Sequence, residues 1–256
     1  MTTVLAAIDD SNAADTVLAT AAALARLTGA RVKALHVRED GVERARAVTE
    51  AAELSLVEVA GDVVEQIATA AADPDVQVVV VGARRHPEGA RPAGHVAFAL
   101  LRRVRTPLVV VPPDTESPAT LERVLVPLDG TMRTARRAHA VIDLAATAGL
   151  DVIVFHCFDV DRLPMFTDQP QHETRAFEHE FLARYAPDTP ARLELRVGTP
   201  ADEVLAAAQA LDVDLVAIAW AQILEPGRAR IVRELLARSR VPLLLLPVDH
   251  EDSDSL

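Results

Sequence analysis

Short unbroken apolar runs alternate along the whole chain with longer segments of helical periodicity. Val78–Val81 and Leu108–Val111 are runs short enough for one buried strand each. Between them, His95–Arg103 reads as a helix that gathers Val96, Leu100 and Val104 on one face. Strand, loop, helix and strand in that order form the unit of a parallel sheet. The same reading predicts earlier strands at Val4–Ile8, Val32–Val37 and Leu56–Val59. It also predicts helices at about Asn12–Thr28, Val42–Ala52 and Val63–Ala71.

The pattern then occurs a second time. TVLAAIDDSNAADTVLATAAALARLTGARVKALHV, from Thr3, aligns with RVLVPLDGTMRTARRAHAVIDLAATAGLDVIVFHC, from Arg123, at an offset of 120. Asp9 falls on Asp129 and His36 on His156. Further on, Gly61 pairs with Gly198 at an offset of 137, and Pro107 with Pro242 at 135. The second series of strands is Val124–Leu128, Asp151–Phe155, Arg192–Arg196, Leu215–Ala219 and Leu243–Leu246. Its helices are Arg133–Ala148, His172–Tyr185, Ala201–Gln209 and Arg230–Arg238. The expected division is residues 1–113, a polar proline-rich linker at 114–122, residues 123–248, and an acidic tail at 249–256. The fold class is α/β: two tandem Rossmann-like domains, each a five-stranded parallel sheet flanked by helices, with ligands at the carboxyl ends of the strands.

Composition narrows the chemistry. Half of the 256 residues are hydrophobic but only 3% are aromatic, so Ala, Val and Leu must fill the core. A net charge of −12 argues against a general nucleic-acid or acidic-membrane binder. Lys33 is the only lysine and lies in a predicted strand, which removes a phosphate-loop or Schiff-base lysine elsewhere. Cys157 is the only cysteine, so neither an intrachain disulfide nor a cysteine-cluster metal site can form. The opening MTTVLAAIDD lacks the basic region of a signal peptide, and no apolar run approaches the roughly 18 residues of a membrane span. A cytoplasmic soluble protein is expected. The loop from Gly82 to Gly94 carries Arg84, Arg85 and Arg91 and leads into the helix beginning at His95. Free N–H groups and the helix dipole make such a place suited to an anion.

Taken together, these residues resemble the universal stress protein family. The resemblance rests on two strands ending in Asp-x-Ser/Thr (Asp9-Asp10-Ser11 and Asp129-Gly130-Thr131), on the turns at Gly61 and Gly198, and on the closing helix followed by Thr-Pro or Val-Pro and an apolar strand. It covers nearly the whole chain as a tandem pair and implies adenine nucleotide α-hydrolase-like domains. ATP-binding members carry Gly-x2-Gly-x9-Gly-(Ser/Thr) after the fourth strand, and an Asp ending the first strand helps hold the nucleotide. In the first half Gly82 fits the first glycine and Gly94 the third, one residue early, while Arg85 stands at the second glycine and His95 replaces the hydroxyl. Asp10 replaces the usual glycine and would bring an extra negative charge towards a phosphate. In the second half Asp129-Gly130-Thr131 is intact, but Ala219 replaces the first glycine, and Ala229 with Arg230 stands at Gly-(Ser/Thr). The implied nucleotide contacts are therefore Asp9, Val37, Gly82, Arg84, Arg85, Gly94, His95, Asp129 and Arg230, with ATP as the cofactor of the first half if any.

The resemblance further implies that Leu108–Val111 and Leu243–Leu246 pair inside one chain as a pseudo-dimer, with room for a homodimer of whole chains and an unidentified protein partner. It points to a stress-response binding or regulatory protein with weak or absent ATP binding, rather than to a catalyst. The alternative is an ATP-binding member that uses only its first half, with slow hydrolysis. Plainer roles compete at each residue. Asp9 and Asp129 could cap the helices that follow them, and His36 and His156 could be buried structural histidines. Cys157 is expected as a buried small hydrophobe, and Trp220 as core or as a plug of the second crevice. His172, Glu173, His179 and Glu180 share helix faces but lack a third convergent ligand for zinc. No catalytic set and no metal site is assembled from the sequence.

Overall fold

The computed structural model describes residues 1–38, 41–83, 95–113, 115–116, 120–158, 170–220 and 230–247, without the side chains of 170–174. Each apolar run becomes a strand. The first half contains β1 (Thr3–Ile8), β2 (Arg31–Arg38), β3 (Leu56–Ala60), β4 (Val76–Gly82) and β5 (Leu108–Val111). The second contains β6 (Arg123–Pro127), β7 (Asp151–Phe158), β8 (Arg192–Val197), β9 (Leu215–Trp220) and β10 (Leu243–Pro247). Between them run α1 (Ala13–Thr28), α2 (Glu43–Ala51), α3 (Val63–Ala71), α4 (His95–Arg103), α5 (Met132–Thr147), α6 (Pro170–Tyr185), α7 (Pro200–Ala210) and α8 (Arg230–Arg238).

All ten strands join one sheet in the order β3-β2-β1-β4-β5-β10-β9-β6-β7-β8. Every ladder within a half is parallel. The seam is antiparallel, with Leu243 opposite Val110, Leu244 opposite Val109 and Leu245 opposite Leu108. These six side chains are all buried, so two apolar edges that would otherwise invite aggregation close on each other. The outer edges are protected differently. β3 and β8 are only partly buried, and β8 carries Arg192, Glu194 and Arg196 along its length. Several boundaries shift by a residue or two from expectation, and β7 runs on further, to Phe158, because Cys157 and Phe158 continue to pair with Arg196 and Val197 of β8.

Strand alternation sends side chains to two cores, one on each face. Val4, Val80, Val109, Val124 and Leu244 pack beneath α1 and α5. Leu5, Val79, Leu108, Leu125 and Leu243 pack beneath the α4 and α8 layer. With few aromatics, α1 comes close to the sheet through Ala14, Ala21 and Ala25. It ends at Gly29, whose φ of 64° is a left-handed cap that favours glycine. Among the described residues no helix is long and apolar enough to cross a membrane.

In each half the chain leaves the first strand towards one side of the sheet and returns later to the other. The carboxyl ends of β1 and β4, and of β6 and β9, therefore border a topological switch point. Those two places are the candidate crevices.

At the opposite end of the second half, Asp151 opens β7 between Arg123 (2.8 Å) and Arg192 (3.3 Å). The Arg192 hydrogen bond, with help from Arg123, outweighs desolvation and holds the Asp151 carboxyl below its ordinary value.

Candidate functional site

In the first crevice, β1 delivers Asp9, β2 delivers Val37 and β4 delivers Gly82 to the same end of the sheet. The registers Ile8–His36 and Ala7–Val81 bring this about. Asp9 does not cap α1 directly. Its Oδ1 accepts the Ser11 amide at 3.0 Å and the Ser11 hydroxyl, while Ser11 Oγ in turn accepts the Ala13 amide at 3.2 Å. The carboxylate thus closes the turn, and the serine prepares the helix start. Val37 is buried in the core on the α4 side of the sheet. Gly82 has no positive φ, and a Cβ there would meet Val17 at 3.4 Å and Ala13 at 3.5 Å, ordinary contact distances. The fold itself therefore does not demand glycine at 82. His95 heads α4 and is exposed. Arg84, Arg85 and Gly94 lie outside the described residues.

Asp10 departs from the expectation of a loose charge beside a phosphate. Its Oδ1 accepts the Arg44 amide at 2.7 Å and the Ala45 amide at 3.2 Å, at the head of α2. That helix has no side-chain bond from its own N-cap residue, Val42, so Asp10 supplies the cap from a distant part of the chain. The Arg44 side chain reaches back to Asp15 of α1. His36, buried, stands between the carbonyls of Ile8 (3.1 Å) and Gly41 (2.9 Å). Asp10, His36 and Gly41 thereby tie the end of β1 to the start of α2, and the negative charge is spent on a helix N-terminus.

The second crevice repeats the frame with different contents. Asp129 Oδ1 accepts from the Thr131 amide (2.9 Å), the Thr131 hydroxyl (2.8 Å) and the Thr134 hydroxyl (2.5 Å), and Thr131 is the N-cap of α5. His156 Nδ1 meets the Leu128 carbonyl at 2.9 Å, as His36 meets Ile8. Here an aromatic cluster surrounds the histidine: Phe158 lies edge-on at 4.9 Å, Phe181 tilted at 4.9 Å and Phe177 at 6.3 Å. The Tyr185 hydroxyl donates to the Gly130 carbonyl, the position that Asp10 occupies in the first half. Cys157 is only half-buried rather than buried, because it stands in the extended end of β7 with its Sγ near the Gly198 carbonyl. Trp220 ends β9 and is buried in core, its indole Nε1 without a partner among the described residues.

Arg230 begins α8 as expected but is not a free cation. Its Nε lies 2.8 Å from Glu234, which holds the guanidinium more firmly protonated than usual. The spacing of four residues was a legible signal for this pair. Sequence reasoning also missed Arg133, whose Nε and Nη2 are buried without a hydrogen-bond partner. Its signal was internal: the repeat sets it against Ala13. His172 and Glu173, and the stretch 221–229, lie outside the described side chains. Among the described residues no group of three His, Cys, Asp or Glu could hold a metal.

The model of the universal stress protein family matches residues 120–247. In three dimensions the chain is similar to a universal stress protein from Archaeoglobus fulgidus at 18% identity and a TM-score of 0.70, over 96% of this chain and 98% of that one. It is equally similar to a functionally unknown protein from Pseudomonas aeruginosa, at 18% identity and a TM-score of 0.70, over 96% and 92% of the two chains. At such identity the likeness speaks for the fold alone. No curated protein compared with the chain matches it.

Proposed function

The chain belongs to the universal stress protein family, and we propose that it is a binding and regulatory member whose two crevices hold ATP weakly or not at all. In this reading residues 1–113 and 123–248 are its two domains, and its output is contact with a protein partner rather than turnover. One observation carries the reading. The carboxylates of Asp9 and Asp129 and the guanidinium of Arg230 are each engaged inside the chain. Recruiting any of them to a nucleotide would compete with a contact that the chain already makes.

A second reading, ATP bound by the first half alone, is favoured by Gly82. Since a Cβ fits there at ordinary distances, a glycine is needed only if a ligand approaches closely. Calorimetric titration of the full chain with magnesium-ATP separates the two. The proposed function expects no micromolar binding. Micromolar binding that Gly82→Ala abolishes, with folding unchanged, overturns it in favour of the second reading.

A further inference from the structure

β8 closes the sheet at one end. It pairs with β7 along one side and, among the described residues, with no strand along the other. Its outward N–H and C=O groups form a row that another strand can continue. Val197 at its end is 49% exposed, one of the few large apolar side chains that the described residues turn to solvent. Strand alternation sorts the side chains of β8 by chemistry. Leu193, Leu195 and Val197 share a face with Val154, His156 and Phe158, their partners in β7, on the side where Phe177 and Phe181 of α6 lie. Glu194 and Arg196 take the opposite face. There the two are 2.9 Å apart, and Arg196 lies 3.8 Å from Glu203 of α7.

The order of these residues is self-complementary. Laid antiparallel to itself about Leu195, β8 sets Glu194 against Arg196 of a second copy, and Arg196 against Glu194. Leu195 then faces its own copy, and Leu193 faces Val197. Arg192, held by Asp151, falls opposite Gly198 and meets no like charge. Other registers lose this match. A slip of one residue sets charged side chains against apolar ones, and a slip of two sets Glu194 or Arg196 against itself. The other end of the sheet has no such symmetry. β3 carries one charge, Glu58, which Arg46 of α2 engages at 2.7 Å, and no cation to meet it in a second copy.

We propose that β8 pairs antiparallel with β8 of a second copy of the chain, in the register centred on Leu195, and so joins two ten-stranded sheets edge to edge. The same strand serves on both sides, so the contact is isologous and closes at two chains. Glu194 and Arg196, partnered within one strand, each gain an opposite charge across the axis. Leu195 and Val197 gain apolar neighbours beside Phe158, and the exposed valine is covered. The charges along β8 deter an arbitrary strand while admitting a copy of β8 itself. A single strand pair is a small contact, so the dimer dissociates on dilution. The pairing uses none of the strands that border a crevice; it goes beyond the proposed function and does not depend on it.

The test is sedimentation equilibrium of the full chain under reducing conditions, across its soluble range. The average mass should rise with concentration towards that of two chains and stop there. Arg196→Glu sets Glu194 against a second carboxylate across the axis, and Glu194→Arg sets Arg196 against a second guanidinium. Each should weaken association about tenfold or more on its own. Mixed together, the two variants should associate, because every charge on one then meets its opposite on the other. Circular dichroism checks that both remain folded. A crosslink reads the register independently. In a Cys157→Ser background, Leu195→Cys should give a disulfide-linked dimer on mild oxidation, since residue 195 faces its copy at about 5 Å between Cα atoms. Val197→Cys, which faces residue 193 instead, should not. Any of the following overturns the proposal: the mass of one chain throughout, growth beyond two chains, association indifferent to Arg196→Glu, folded charge variants that fail to associate when mixed, or a crosslink at position 197 in preference to 195.

Discussion

The distant cap on α2 can be tested with a double-mutant cycle between Asp10 and Gly41. Asp10→Ala removes a charged acceptor from two amides at the head of α2, 2.7 and 3.2 Å away. Water replaces part of the loss because the site is largely exposed, so the cost should be that of an ordinary N-cap, about 1–2 kcal/mol. Gly41 is constrained by the same carboxylate. A Cβ at 41 would overlap it, coming to 3.1 Å from the Asp10 Cγ and closer to Oδ2. Gly41→Ala must therefore displace Asp10 and forfeit the cap, offset by about 0.4–1 kcal/mol from the less flexible unfolded chain. The expected net cost is roughly 0.5–1.5 kcal/mol. In the Asp10→Ala background the obstacle is gone, and Gly41→Ala should be neutral or slightly stabilising. The coupling energy is then about 1–2 kcal/mol. Urea unfolding of the four proteins measures it, and amide exchange should quicken at Arg44 and Ala45 in each single variant. Effects that add within about 0.3 kcal/mol, with those two amides still protected, would refute the cap.

Two further outcomes concern stability. Asp151, between Arg192 and Arg123, has its pKa lowered in the folded chain, so it stabilises the fold when ionised and that contribution disappears as pH falls through its depressed value, below the ordinary 3.8. Asp151→Asn should therefore be less stable than the wild type at pH 7, by about 1 kcal/mol or less because the site is partly exposed, and the two urea curves should converge in strong acid; a gap that persists there would contradict the assignment. At the seam, Leu245 is 1% exposed opposite Leu108. Leu245→Ala should cost about 3–5 kcal/mol in urea unfolding, and a loss below about 1 kcal/mol would mean that the two halves are not packed there as described.

The fold was legible because burial on both faces leaves its mark locally. Val78–Val81 and Leu108–Val111 are unbroken apolar runs since they lie inside a covered parallel sheet, and β4 and β5 form there. The helix at His95–Arg103 matches α4 for a similar reason: one apolar stripe faces the core. The site was less legible because its contacts join distant segments. Nothing near Asp10 in the sequence announces that the amides it accepts from belong to α2, more than thirty residues later. A glycine-pattern comparison marks Asp10 as an intruder, and only the packing of α2 shows what it holds. Arg230 is the opposite case: its partner Glu234 stands in view one turn away in the sequence. Arg133 needed the repeat to be read for its differences as well as its matches.

The duplication offers a way to separate what the fold requires from what a ligand requires, because both copies obey the same topology. Asp9 and Asp129 close the same turn, accepting the amides of Ser11 at 3.0 Å and Thr131 at 2.9 Å. His36 and His156 meet the same strand-end carbonyl, of Ile8 at 3.1 Å and Leu128 at 2.9 Å. Gly29 and Gly149 both adopt positive φ, at 64° and 80°. These shared positions have internal partners or backbone conformations that explain them without any bound molecule. Asp9 and Asp129 thus have a structural role of their own, closing the turn that opens each motif. Among the positions that differ are Asp10 against Gly130, Ala13 against Arg133, Gly82 against Ala219, and His95 against Arg230. These four belong to strand ends or the helix heads beside them. Among them, Arg133 stands out in the described structure because its charged nitrogens are buried and unmatched.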